Sequence, residues 1–252
     1  LYGDMDITLI KSKPINRKEI KTYTKDVNKI DEVIKFIKNE ISNNKQIFWV
    51  CPLIEESKKL DHASAVKKFE YLEKKFPNQV CLLHGKTSLE EKNIILNNFL
   101  LNKFKILVST TIIEVGIDFP NANVIVIENA NKFGLSQLHQ LRGRVGRGNK
   151  DSTCILMFKS NLSDNAKKRI KILKDTNDGF LISEEDMKLR GFGDILGFKQ
   201  SGVKNFKLAD PIHNSDLFIL AEKEMRRIEK SNEDIKRFRP LIKLYDRADI
   251  IN

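Results

Sequence analysis

Nowhere in this sequence is there an apolar run approaching the ~20 residues that span a bilayer, which excludes a transmembrane helix. Cysteine is sparse. Cys51, Cys81 and Cys154 each lie inside an apolar, strand-like run, as small buried hydrophobes do in a reducing compartment. The four histidines, His62, His84, His139 and His213, are too scattered for metal-ligand spacing, so no metal is expected through Cys or His. There is no internal repeat and no low-complexity tract. The opening LYGDMD has neither a basic segment nor a long apolar core, so no secretory leader is expected. A first residue other than Met suggests a piece of something longer.

A phosphate-cradling loop is also missing. Residues 84–88, HGKTS, end like G-x-x-x-x-G-K-[ST], in which backbone N–H groups wrap phosphate oxygens and the first Gly permits the turn. Val80 stands where that Gly is required, and Val80-Cys81-Leu82-Leu83 reads as a buried strand. No other stretch carries the motif, nor is there a D-E-x-H box. A nucleotide bound here is gripped by something other than a P-loop of this chain.

What is present is positive charge. Net charge is +11 and the pI about 9.4, which suits a polyanionic partner because Lys and Arg displace counterions condensed on nucleic acid. Lysine outnumbers arginine three to one, so part of the excess belongs to solvated faces.

Apolar runs at 47–51, 80–83, 106–108, 124–127 and 153–158 read as strands. Helical periodicity fills the intervals: 31–41 with Val33, Ile34 and Ile37 inward, then a stretch with Ala63, Val66, Phe69 and Leu72 on one face. A third helix opens at a Ser88/Glu91 capping box with Ile94, Ile95 and Phe99 inward, and a fourth spans 136–144. Strands apolar at every residue, alternating with helices, predict an α/β domain with a parallel sheet covered on both faces, over residues 1–160. In such sheets ligands gather beyond the carboxyl ends of the strands. From 161 to 252 the texture changes. A basic helix, Ser163 to Leu173, has Ala166, Ile170 and Leu173 as its buried line. A turn at Asn177-Asp178-Gly179 leads to a helix opened by Ser183-Glu184-Glu185-Asp186, a loop punctuated by Gly191, Gly193, Gly197 and Gly202, and a last helix from Ser215 to Lys230.

The most informative segment is SQLHQLRGRVGRG, residues 136–148. Three of the 11 arginines, Arg142, Arg144 and Arg147, fall within six residues, so guanidinium specifically is wanted, a planar fork matched to phosphate oxygens. Arg144 and Arg147, three apart, are expected to share a helical face. Gly143 and Gly146, each costing ~1 kcal/mol within a helix, imply close approach of another backbone or a ligand.

Gln140-x-x-Gly143-Arg144-x-x-Arg147 resembles motif VI of superfamily 2 helicases, and VSTTIIEVGID, residues 108–118, resembles their motif V. FWVCPLIEESKKLD (48–61) and TNDGFLISEEDMKLRGFGDILGFKQSG (176–202) narrow the resemblance to the RecG family, over Leu1 to about Ile228. The resemblance implies a second RecA-like motor domain followed by a translocation motif, a helical hairpin and loop. It implies ATP with Mg2+ held mainly by a first motor domain absent from these residues. Arg147 is then the arginine finger, Arg144 its companion on the phosphate, and Gln140 an orienting hydrogen bonder, with Gly116 and Asp118 by the ribose or coupling the site to DNA. His84, Gly85, Lys86, Thr110 and Thr111 are implied DNA-phosphate contacts, and Arg190 and Gln200, with Arg169 a weaker candidate, belong to the translocation motif. The implied partners are branched double-stranded DNA at forks and Holliday junctions, together with the first motor domain and a wedge domain of the same protein. The implied form is a cytoplasmic, nucleoid-associated monomer in a bacterium, and the fragment alone is expected to be inactive. Phe192 replaces the family's usual Pro, and Phe198-Lys199 a Thr-Arg, which alters the loop. Three alternatives stand beside this: the transcription-repair coupling factor, against which CPLIEESKKLD argues; a non-catalytic nucleic-acid-binding module, against which the intact Gln140, Arg144 and Arg147 argue; and an RNA helicase, for which residues 161–210 are the wrong appendage.

Overall fold

The structure, a computed structural model, describes residues 18–52, 58–110, 119–146, 150–190 and 215–231. Within them lie β1 (Ile20–Asp26), β2 (Gln46–Val50), β3 (Val80–Leu83), β4 (Ile106–Ser109), β5 (Ala122–Ile127) and β6 (Ser152–Phe158). The helices are α1 (Ile30–Ser42), α2 (Lys58–Lys75), α3 (Leu89–Leu100), α4 (Leu135–Arg142), α5 (Asp164–Asp175), α6 (Gly179–Arg190) and α7 (Ser215–Ser231). All strand pairs are parallel, in the order β1-β6-β5-β2-β4-β3. The expected parallel α/β sheet is therefore present.

Alternation along β2 shows why its run is apolar throughout. Ile47 and Trp49 enter a core with Val33 and Ile37 of α1 and Leu72 of α2. Phe48 points the other way, into an aromatic cluster with Phe99 of α3 and Phe119. Each central strand buries both faces, so its middle is apolar and the buried polar residues Gln46, Ser109 and Asn123 stand at or near strand ends.

β1 escapes the apolar-run criterion because it is an edge strand: IKTYTKD alternates, and only Ile20 is buried. The Ser88/Glu91 capping box forms as expected, with the Glu91 amide donating to Ser88 Oγ and the Ser88 amide to the Glu91 carboxylate. Ile94 differs from expectation: α3 buries Leu96 and Phe99 and leaves Ile94 outside. α6 starts at Gly179, four residues before the expected Ser183, because the Asp178 carboxylate accepts from the amides of Phe180 and Leu181 and caps the helix there.

Asparagine does glycine's work at chain reversals. Asn44, Asn78, Asn102 and Asn129 all have positive φ, the left-handed region in which Asn is the commonest non-glycine residue.

Two compact units divide the chain. One, Ser12–Asp186, contains the sheet, α1 to α5 and most of α6; the other joins Leu1–Lys11 to Met187–Asn252 and includes α7. In α7, Leu217, Leu220 and Met225 are exposed.

Candidate functional site

α4 has eight residues, and its side chains sort into three stripes at spacings of three. Leu135, Leu138 and Leu141 face the sheet and are buried. Ser136, His139 and Arg142 face the helix pair α5–α6. Gln137 and Gln140 are exposed, and Arg144, just past the helix, is half-buried. Gln137 is spent on the helix start, where its side-chain oxygen accepts from the Gly134 amide.

The second stripe is a lock. Ser136 Oγ donates to the Asp186 carboxylate at 2.5 Å. A Cβ added to Gly179, the first residue of α6, would stand 3.2 Å from His139 Nε2, so the absence of a side chain lets α6 press on the imidazole. Arg142 is 2% exposed, and its Nη1 donates to the carbonyls of Leu173 (2.6 Å) and Thr176 (3.0 Å) and to Thr22 Oγ1 (3.3 Å). Its Nη2 lies 3.2 Å from His139 Nδ1; because a guanidinium only donates, that nitrogen is the acceptor. Burial lowers the pKa of Arg142, with the Cys154 thiol as the opposing influence. Arg142 therefore serves the end of α5, not a ligand, and in this it differs from Arg144. α5 reciprocates: Arg169 Nη2 donates to the Asn131 carbonyl at 3.3 Å, on the connection leading into α4. The spacing 136/139/142 was the sequence signal for this stripe, masked by grouping Arg142 with Arg144 and Arg147.

The helix ends at Arg142, so neither glycine of GRVG lies inside it. Gly143 is the C-cap with ordinary helical angles. Gly146 has φ +76, and a Cβ there would stand 3.0 Å from Ile20 Cγ1 and 3.5 Å from Ser152 Cβ. The close approach expected at Gly146 is to β1 and β6, and the left-handed turn takes the chain off the helical path before residue 147. Arg147 lies outside the described residues, as do Gly116, Asp118, Thr111, Gln200 and the glycine-punctuated loop after α6; Arg190 closes α6, with its side chain outside them. The Arg144 guanidinium has no hydrogen-bond or ion-pair partner among the described residues. Gln140 and Arg144 offer only neutral and cationic groups, a set that fits phosphate oxygens and supplies no carboxylate for Mg2+.

At the β3–α3 junction, HGKT forms a tight turn, not a phosphate cradle. The Thr87 amide donates to the His84 carbonyl, the His84 amide to Thr87 Oγ1, and the Lys86 amide to His84 Nδ1. These amides are satisfied internally, while Gly85 and the Lys86 side chain stand exposed. An open groove of about 380 Å³ adjoins the turn, lined by Leu82, His84, Lys86, Thr87, Glu91, Ile94 and Ile95. Thr110 is buried and its amide lies 3.4 Å from the Leu83 carbonyl.

The chain winds in opposite directions from β2 and β5, which are neighbours, so the ligand crevice of an open α/β sheet belongs above their carboxyl ends. Lys68 of α2 pairs with Glu128 at 2.7 Å, both mostly buried, and the ammonium lies 5.4 Å from the centre of the Trp49 ring. Glu128 also faces Cys51 Sγ at 3.9 Å.

Residues 28–149 match the helicase conserved C-terminal domain, and residues 176–243 match the C-terminal part of domain 3 of the ATP-dependent DNA helicase RecG. The chain is 46% identical over 216 residues to the ATP-dependent DNA helicase RecG of Bacillus subtilis, covering 85% of this chain and 32% of that protein. To the protein of the same name from Aquifex aeolicus it is 42% identical over 250 residues, covering 97% and 31%. A solved structure of RecG bound to a three-way DNA junction superimposes with a TM-score of 0.68 at 43% identity, covering 86% of this chain and 28% of that one. The chain thus spans about a third of the length of these relatives.

Proposed function

Because the chain belongs to the RecG family of ATP-dependent DNA helicases, we propose that it is the second motor domain and translocation motif of an ATP-driven translocase on double-stranded DNA. Its work is the remodelling of stalled forks and Holliday junctions. One observation carries this: in a single short segment, Arg142 is buried and bonded to the carbonyls of Leu173 and Thr176, whereas Arg144 is half-buried and partnerless among the described residues. A guanidinium held at a surface without a counter-charge is placed for an anion brought by something else.

That anion is the triphosphate of ATP, held with Mg2+ by a first RecA-like domain. Arg147 is the finger that neutralises charge as the γ-phosphoryl group leaves, Arg144 steadies the same phosphate, and Gln140 orients it by hydrogen bonding. Such a finger is worth ~10³–10⁵ in turnover. Gly116 and Asp118 lie by the ribose or link the site to DNA. Lys86, exposed on its tight turn with Gly85, meets a DNA phosphate, and His84 sets that turn by accepting the Lys86 amide. Thr110 acts by fixing the start of motif V, from which Thr111 reaches DNA.

The Ser136–Asp186, Arg142–Leu173 and Arg169–Asn131 bonds make α4, α5 and α6 as far as Asp186 one mechanical piece. A push on Arg144 and Arg147 therefore moves α6, whose end, Arg190, leads to Gln200 on the DNA. The protein acts as a cytoplasmic, nucleoid-associated bacterial monomer, completed by the first motor domain and a wedge domain.

The test is ATP hydrolysis by the full-length protein with and without branched duplex DNA, alongside residues 1–252 alone. Duplex-stimulated turnover and fork remodelling are expected of the former and no turnover of the latter. Turnover by residues 1–252 alone, or stimulation by RNA in place of DNA duplex, overturns the assignment.

A further inference from the structure

α5 carries a face used by neither the nucleotide stripe nor the interlock. Ala166, Ile170 and Leu173 form its buried line, and Arg169 is turned to the Asn131 carbonyl. Outward stand Lys167, Lys168, Lys171 and Lys174, all exposed. Spacings of three and four residues place them on one stripe, about 10 Å long at the helical rise of 1.5 Å per residue. The two acids of the helix, Asp164 and Asp175, lie at its ends. Of these four lysines only Lys167 has an ion-pair partner among the described residues, Asp164 at 3.3 Å, and that pair is largely in solvent.

Like charges three and four residues apart repel and weaken a helix. A merely solvated face avoids this by interleaving acids, and α1, α3 and α6 do so, each with more acidic than basic residues. α2 shares the lysine excess, but it sets Glu70 and Glu73 between Lys67-Lys68 and Lys74-Lys75, whereas no acid interrupts the stripe of α5. On α5 the excess is concentrated on one side.

We propose that this stripe is a second contact with duplex DNA, binding phosphates of the backbone without regard to sequence. The proposal rests on the translocase reading and extends its DNA surface beyond the Lys86 turn and the translocation loop. Ammonium groups on flexible stems suit the task, since each meets a phosphate as a point charge. Because Arg142 and Arg169 fasten α5 to α4, the stripe rides on the same rigid piece as the arginines facing the nucleotide.

The experiment is duplex binding by the full-length protein, wild type against K168Q/K171Q/K174Q, between about 50 and 200 mM salt. Removing one ammonium–phosphate pair lowers the log–log salt slope by about 0.9, so a drop of about two to three is expected, with affinity reduced at least tenfold at the lower salt. The melting temperature should hold or rise, because repulsion has been relieved. An unchanged slope, whatever the melting temperature, overturns the stripe while leaving the translocase reading intact. A wild-type protein that neither binds duplex nor hydrolyses ATP in response to it overturns both. Tighter wild-type binding to poly-glutamate than to duplex at equal ionic strength overturns nucleic acid as the partner and points to an acidic protein.

Discussion

Replacing Arg142 with Ala should uncouple α4 from α5 without touching the nucleotide. The guanidinium bonds two main-chain carbonyls at the end of α5, at 2.6 and 3.0 Å, as well as Thr22 and His139. Its removal orphans both carbonyls, and a buried polar group left unpaired costs about 1–3 kcal/mol. Loss of a side chain only 2% exposed also opens a cavity. The contributions are not additive, and a total of about 3–5 kcal/mol is expected, a large share of the roughly 5–15 kcal/mol that stabilises a domain. Arg142→Lys keeps the charge, but one ammonium cannot span acceptors on β1, α4 and α5, so it should recover less than half. Hydrogen exchange of peptides covering 164–176 reads this directly: a local loss of about 3 kcal/mol speeds exchange about a hundredfold or more. Nucleotide affinity should be nearly unchanged while duplex-stimulated turnover falls. If R142A leaves exchange in α5 as it was, or R142K behaves as wild type, the interlock is not what holds these helices together.

Gly146→Ala introduces a Cβ at φ +76 and 3.0 Å from Ile20, so a loss of about 1–3 kcal/mol is expected in urea unfolding, with turnover reduced further than stability through misplacement of Arg147. An Ala variant as stable and active as wild type would contradict the left-handed turn. Alkaline pH should destabilise the fold through its buried thiols: burial pushes Cys154 up to about 12 and raises Cys51 and Cys81 as well. The thiol's contribution is fully present below the unfolded value near 8.5 and is lost as pH rises towards the folded one, at about 1.4 kcal/mol per pH unit for each thiol. Comparing urea midpoints at pH 8 and pH 10, Cys154→Ala should lose about 2 kcal/mol less than wild type over that interval; an equal loss in both would show that the thiol is not the cause.

The central strands were legible because both of their faces are buried and the runs 47–51, 106–108 and 124–127 admit no polar residue. β1 was not, since an edge strand alternates, and Tyr23 lies half in solvent. The start of α6 was misplaced because the acids after Ser183 suit a helix dipole as well as Asp178 suits a cap, and only geometry shows which carboxylate receives the amides. In the candidate site, Gln140 and Arg144 could be found by motif. Composition could not separate Arg142 from them, because its partners, the carbonyls of Leu173 and Thr176, come from residues more than thirty positions away and carry no side-chain signature. Lys68 and Glu128 were invisible for a similar reason: each reads as an ordinary surface charge until α2 is laid across the ends of β2 and β5.

The most direct test is steady-state ATP hydrolysis by the full-length protein carrying Arg147→Ala, measured with saturating duplex DNA beside nucleotide affinity. An arginine that acts only as the γ-phosphoryl group departs predicts kcat lowered by about 10³ or more with nucleotide affinity altered by less than about tenfold. A kcat equal to that of wild type would show that the turn after α4 does not complete a nucleotide site.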